Sequence, residues 1–185
     1  MPNSCYTIFI IHPEINAPMK LAQASDLEEI MAIYNASLPA GEVAPNFHTL
    51  VKDGTTTWFD AHQQAHHPLY AYYDEQGAMV AWASFSVEHP ANMDRLSAEV
   101  SIYLAPEVQN QGLGSEILAF MLNMAPILGI QNVLAIVFAS NLPSIHLFKK
   151  YGFAQWGFLP QVSDLHHAKT DVLILGKAVP KINQP

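Results

Sequence analysis

Cysteine is almost missing from this 185-residue chain: Cys5 stands alone, so no internal disulfide can form. A reducing cytoplasm is the expected setting. Basic residues are scarce too, eight Lys and Arg against sixteen Asp and Glu, giving a net charge of −8. That balance repels nucleic acid and anionic membrane surfaces, and no Lys/Arg cluster makes a local exception. No apolar run approaches the roughly 20 residues of a membrane span. The Tyr6–Ile11 run is too short for a signal-peptide core and has no basic residue ahead of it. Charged residues make up only 13% of the chain while half of it is hydrophobic. Extensive disorder is therefore not expected, and one domain can bury a full core.

What is present falls into order after the first eighteen residues. Met1 to Pro18 hold three prolines and read as an N-terminal extension, with Tyr6–Ile11 as an added edge strand in the competing reading. A domain is expected over residues 19–179, with 180–185 as a tail. Ser25-Asp-Leu-Glu28 has capping-box spacing, and Leu27, Ile30, Met31, Tyr34 and Leu38 follow at helical intervals, so a helix is predicted over Asp26–Ser37. A second helix is predicted over Thr55–His66. Leu69–Asp74 and Met79–Val87 read as strands joined by the hairpin turn Asp74-Glu-Gln-Gly77. A Pro-bearing loop, His89–Arg95, leads to a strand over Ser97–Leu104. A helix then starts at Gly112 and closes at Pro126 and Gly129. Val133–Phe138 is a short apolar strand, Asn141–Lys150 a helix closed by Gly152, and Phe153–Leu159 and Asp171–Leu175 are the last strands. Strands and helices alternate, which makes one α/β (α+β) domain with a mixed central sheet.

The most informative stretch joins the Ser97–Leu104 strand to the helix at Gly112. It reads Gln109-Asn110-Gln111-Gly112-Leu113-Gly114-Ser115. A strand feeding a glycine-bearing turn and then a helix N-terminus surrounds an anion with backbone N–H groups. Side chains in place of the glycines would hold the backbone away from the oxygens. The pattern is neither the three-glycine dinucleotide fingerprint nor a P-loop with Gly-Lys-Ser/Thr. His62, His66 and His67 form the one group with metal-like spacing. A zinc site needs further ligands that the neighbourhood does not offer, so these are read as solvent-facing residues on a helix end and no metal is expected.

Three segments together resemble the GNAT N-acetyltransferases. The Gln109–Gly114 loop matches their Arg/Gln-x-x-Gly-x-Gly/Ala element. Asn141-Leu-Pro-Ser144-Ile-His-Leu-Phe148-Lys-Lys-Tyr-Gly152-Phe153 is similar to their N-x-x-S/A-x-x-L-Y/F/H-x-K-x-G-F helix. Arg95-Leu-Ser-Ala-Glu99-Val-Ser-Ile-Tyr103 resembles the corresponding strand of the phosphinothricin acetyltransferase-like branch. Asp26-Leu, Tyr34-Asn35, Trp58-Phe59 and the Trp156–Pro160 segment fall where that branch carries similar pairs. The resemblance covers about Met19 to Lys177. It implies a single-domain fold with helices on both faces of the mixed sheet, acetyl-CoA as co-substrate, a small-molecule amine as partner, and a homodimer.

Residue by residue, the resemblance assigns the pyrophosphate to Gln109, Asn110, Gln111, Gly112, Leu113, Gly114 and Ser115. It gives the pantetheine arm to the backbone of Ile102, Tyr103 and Leu104, and to Asn141 assisted by Ser144. Asn141 is otherwise a helix N-cap. Acetyl transfer needs a neutral amine, so a base must stand nearby. Glu99 is the candidate, a carboxylate in an otherwise apolar strand whose burial should raise its pKa; the alternative is a solvated edge-strand residue. Arg95 is the expected partner of an acceptor carboxylate. Phe148 occupies the position where many GNAT enzymes carry a tyrosine that protonates the departing thiolate, and Tyr103 and Tyr151 are the possible substitutes. Gln109 in place of the commoner arginine removes a positive charge. The expected activity is N-acetylation of a small amino acid of the phosphinothricin, methionine sulfone or sulfoximine type. The alternatives are acetylation of a protein N-terminus or lysine, and a non-catalytic acyl-CoA-binding module.

Overall fold

Proline, glycine and asparagine punctuate the chain where its elements meet, and the computed structural model follows that punctuation. It describes residues 19–37, 55–62, 67–86, 96–165 and 168–180. The N-terminal segment with its Tyr6–Ile11 run, the His89–Arg95 loop and His66 lie outside the described residues. Seven strands are described: β1 (Met19–Leu21), β2 (Leu69–Tyr73), β3 (Met79–Ser86), β4 (Ser97–Leu104), β5 (Asn132–Phe138), β6 (Ala154–Leu165) and β7 (Ala168–Ala178). The described helices are α1 (Leu27–Ser37), α2 (Thr55–Ala61), α3 (Leu113–Ile127) and α4 (Leu142–Lys150). The sheet order is β1-β2-β3-β4-β5-β7-β6. Every described pairing is antiparallel except β4 with β5. A parallel pair needs a crossover, and α3 supplies it.

Local chemistry sets the joins. Asp74 makes the β2–β3 turn by accepting the amides of Gln76 and Ala78 at 2.9 and 2.8 Å, with Gly77 at φ 83° where a side chain would be strained. The expected Ser25–Glu28 cap lies two residues earlier, at Gln23 and Asp26. A 3-10 turn over Ala24–Asp26 precedes α1, and Asp26 accepts the Gln23 amide at 2.6 Å. The last two strands run much longer than predicted. Pro160 sits in a register shift between Leu159 and Ser163, with Gln161 at φ 52° and its amide held by Asp171 at 2.9 Å. A bulge admits proline because no ladder hydrogen bond is asked of it.

Both faces of the sheet are packed, as the sequence indicated. One core joins Ala98 and Val100 of β4, Val133, Ala135 and Val137 of β5 and Leu175 of β7 to Ile117, Leu118, Met121 and Met124 of α3 and Ile145 and Phe148 of α4. The other joins Leu69, Ala71 and Trp82 to Ile30, Ile33 and Tyr34 of α1 and Phe59 of α2. Trp82 locks α1 to this second face by donating its indole N–H to the Ile30 carbonyl at 3.0 Å. Period-2 alternation along β4 thus divides its residues between two cores.

Candidate active site

Strand β4 pairs with β3 over six residues, from Leu104↔Ala81 to Glu99↔Ser86. With β5 it pairs over three only, Ser97↔Asn132, Ala98↔Val133 and Glu99↔Leu134. Beyond Glu99 the two parallel strands part, while β5 stays bonded to β7 through Phe138. The parting opens a cleft whose walls are strand edges carrying peptide N–H and C=O groups. An extended amide-bearing chain can hydrogen-bond there as an added strand does. Ile102, Tyr103 and Leu104 line one wall. The Leu104 carbonyl is engaged by Gln109 Nε2 at 3.1 Å, so Gln109 clips the loop to the strand end with its side chain.

At the mouth of this cleft the Gln109–Ser115 loop turns into α3. Asn110 and Gly112 are both left-handed, at φ 59° and 92°, which curls successive amides toward one side. The first helical bonds, from Ser115 and Glu116, reach back to the Gly112 carbonyl at 2.9 and 3.2 Å. The preceding amides of Leu113 and Gly114 therefore point out of the helix N-terminus. A Cβ on Gly112 would meet nothing within 4 Å, whereas one on Gly114 would lie 3.4 Å from Leu147 Cδ2. Gly112 faces open space and Gly114 faces the α3–α4 contact. Lys150 brings a cation to the same spot, its Nζ 3.4 Å from Ser115 Oγ. An elongated thioester carrying a pyrophosphate fits these features, with the anion at the helix end and the amide-bearing arm along β4.

Asn141 caps α4, its side-chain oxygen accepting the Ser144 amide at 3.1 Å. Phe148 is a core residue packed edge-on against Phe153 at 5.0 Å. Tyr151 donates to the Ser115 carbonyl at 2.7 Å. Tyr103 lies on the opposite face of β4, stacked on Trp82 at 4.4 Å, and burial pushes its phenol well above the usual value, with Tyr34 and Glu99 adding to the shift.

On that opposite face, three directly paired positions of β3 and β4 form a row: Trp82 with Tyr103, Ser84 with Ser101, and Ser86 with Glu99. Glu99 is half-buried on a central strand, at the rung where β4 and β5 separate. Tyr34 and Trp58 wall the aromatic end of the row. His62, expected to face solvent, is instead 6% exposed. Its Nδ1 lies 2.8 Å from the Trp58 carbonyl and its Nε2 3.1 Å from Ser86 Oγ. Burial lowers the imidazole pKa, His67 lowers it further, and the Trp58 bond opposes them. Arg95 lies outside the described residues.

The model of the acetyltransferase (GNAT) family matches residues 27–153. The chain belongs to that family. YwnH of Bacillus subtilis, provisionally named a phosphinothricin acetyltransferase, is 36% identical over 159 residues, which is 86% of this chain and 97% of that protein. The L-methionine sulfoximine/L-methionine sulfone acetyltransferase of Pseudomonas paraeruginosa is 28% identical over 148 residues, 80% of this chain and 86% of that protein. Among solved structures, the phosphinothricin acetyltransferase from Sinorhizobium meliloti in complex with AcCoA superimposes with a TM-score of 0.76 at 25% identity, covering 87% of each chain. In this GNAT enzyme, sequence reasoning missed three residues: Lys150, His62 and Ser86. Lys150 stood inside the recognised helix motif, but its reach to α3 needed the packing of α4. His62 was noticed for spacing alone, and Ser86 carried no local signal.

Proposed function

We propose that the protein is a cytoplasmic, homodimeric N-acetyltransferase that acetylates the amino group of a small amino acid of the phosphinothricin, methionine sulfone or methionine sulfoximine type. The observation that carries this reading is the position of Glu99. It pairs with Ser86 on the face walled by Tyr34 and Trp58, and it is the last β4 residue bonded to β5, so the backbone just beyond it borders the cleft.

The chemistry follows from that placement. Acetyl-CoA supplies a thioester carbonyl, from which the acetyl group passes to the amine nitrogen as the C–S bond breaks and the thiolate departs. Glu99 accepts the proton that the ammonium must lose before its nitrogen can form the new bond. The amides of Gly112 to Ser115 and the Lys150 ammonium hold the pyrophosphate. The backbone of Ile102 to Leu104, with Asn141 and Ser144, holds the pantetheine arm. With Phe148 in place of a hydroxyl donor, the thiol of ordinary pKa, about 8.5, departs as thiolate and takes its proton from water. Arg95 binds the acceptor carboxylate, four residues before the base on the same stretch of chain.

A CoA-release assay over free amino acids, their amides, peptides and polyamines tests the reading. Release with L-methionine sulfone, L-methionine sulfoximine or phosphinothricin, and much less with the amidated forms, is the expected result. Release with peptides alone points to a protein N-terminus or lysine as acceptor. Tight acetyl-CoA binding without release to any amine points to a non-catalytic binding module.

A further inference from the structure

His62 is a buried ring with no part in the chemistry above, yet both its nitrogens are engaged. The Trp58 carbonyl can only accept, so Nδ1 carries the proton and donates to it at 2.8 Å. The neutral ring then has a lone pair at Nε2, and the Ser86 hydroxyl 3.1 Å away must donate to it. A serine hydroxyl has one proton. Once it is given to His62, Ser86 Oγ offers only lone pairs to its other neighbours. One of those neighbours is Glu99, the direct cross-strand partner of Ser86, whose side chain rises from the same face about 5 Å away. As a base, Glu99 also offers only lone pairs.

We propose that His62 and Ser86 form a positioning pair that presents Ser86 Oγ as a fixed acceptor beside Glu99, so that the two hold a nitrogen bearing at least two N–H groups. The inference rests on the acetyltransferase reading and makes it more specific. One N–H of the acceptor donates to Ser86 while another proton passes to Glu99. An alcohol or thiol that gives its single proton to Glu99 has none left for Ser86 Oγ, and so forgoes the hydrogen bond that a second N–H would make there. Selection of an amine over a hydroxyl compound is thereby built into the β3–β4 ribbon. Ser86 is the amine-contacting residue, and His62 acts through it. The aromatic wall of Trp58 fixes the ring plane, its centroid 4.5 Å from that of His62.

The test uses the full chain in steady-state kinetics, with L-methionine sulfone as acceptor and acetyl-CoA varied separately. Ser86→Ala should raise KM for the amino acid about tenfold or more, the usual cost of losing a hydrogen bond to a charged group. KM for acetyl-CoA should stay within about twofold. Ser86→Thr, which keeps the hydroxyl, should restore most of the affinity. His62→Leu should reproduce part of the Ser86→Ala effect and add no further loss in the Ser86→Ala background, because a residue acting through another is silent once that other is gone. Losses that add in the double variant, or a Ser86→Ala KM within about twofold of wild type, overturn the proposal and leave the acetyltransferase reading intact. A wild-type protein that acetylates no amine overturns both. If His62→Leu fails to bind acetyl-CoA in calorimetry and so has not folded, the Ala/Thr contrast at Ser86 decides alone.

Discussion

Alanine at Gly112 puts a methyl group into the cradle and strains one residue of backbone, and the two effects can be measured apart. Gly112 sits at φ 92°, a conformation that costs an L-residue about 1–2 kcal/mol. No atom lies within 4 Å of the added Cβ, so no clash increases that cost. For a chain of this size the strain should lower Tm by roughly 2–8 °C. The methyl group also stands where phosphate oxygens approach the amides. Losing one amide bond to a charged oxygen costs about 1.5–3 kcal/mol, so acetyl-CoA should bind roughly 10- to 100-fold more weakly in calorimetry. Gly129→Ala is the control, because Gly129 has φ 81° and equally open surroundings, in the turn after α3. It should lose similar thermal stability and no affinity. Equal Kd for wild type and Gly112→Ala, alongside matched Tm losses in the two variants, would refute the cradle. Gly114→Val is a poorer probe. Its side chain grows into Leu147, and overpacking α3 against α4 would cost stability of its own, typically about 1–3 kcal/mol.

Glu99→Gln should lower kcat by about 10²- to 10⁴-fold, the range for loss of a general base, with acetyl-CoA affinity unchanged; near-normal turnover at neutral pH would make Glu99 a structural residue. Lys150→Met should weaken acetyl-CoA binding and flatten its dependence on salt, since a screened charge has been removed; an unaltered salt slope in calorimetry would take Lys150 out of the anion site. The pH dependence of folding follows from His62, whose pKa is lowered from 6.5 by burial, the larger cause, and by His67. The unfolded chain binds a proton there that the native ring refuses, so this stabilising contribution is complete above about pH 6.5 and declines as pH falls toward the native value. Urea denaturation from pH 8 to 5 should show that decline, with a shallower slope in His62→Leu, and parallel slopes would mean that the ring is not held neutral.

The parts of the fold legible in the sequence were those written in local chemistry. Asp74 and Gly77 announced the β2–β3 turn, the glycines at 112 and 114 announced the opening of α3, and Asn141 its equivalent in α4. The apolar runs of β3, β4 and β5 fixed those strands within a residue or so. The last two strands were read too short, because β6 runs on past a register shift at Pro160 that only its pairing with β7 reveals. The capping carboxylate is Asp26 rather than Glu28 because a 3-10 turn, common at helix ends, precedes α1 and carries the cap. At the site, Glu99 could be found since a carboxylate in an apolar strand is anomalous on its own. Ser86 could not, because a serine at the end of a strand is unremarkable until register sets it opposite Glu99. His62 stood in a cluster of histidines whose spacing invited thoughts of metal. Its partners are a carbonyl one turn back and a hydroxyl on β3, and the proposed positioning role draws only on the second.

Register on β4 is what joins these pieces. The strand gives its edge to the cleft beyond Glu99, one set of alternate side chains to the core under α3, and the other set to the face walled by α1 and α2. A slip of one residue would exchange the sets, turning Ala98 and Val100 toward α1 and α2 and driving Glu99 into the apolar packing of Ile117 and Met121. Burying an ionised carboxylate there without partners is far costlier than the slip could recover. Six rungs to β3 oppose the slip from one side, and the Trp82–Ile30 hydrogen bond fixes β3 against α1. The short ladder to β5 is thus free to end at Glu99. Glu99, the base of the proposed reaction, is held by pairing on one side of the strand, and the opening proposed for the thioester comes from the lack of pairing on the other.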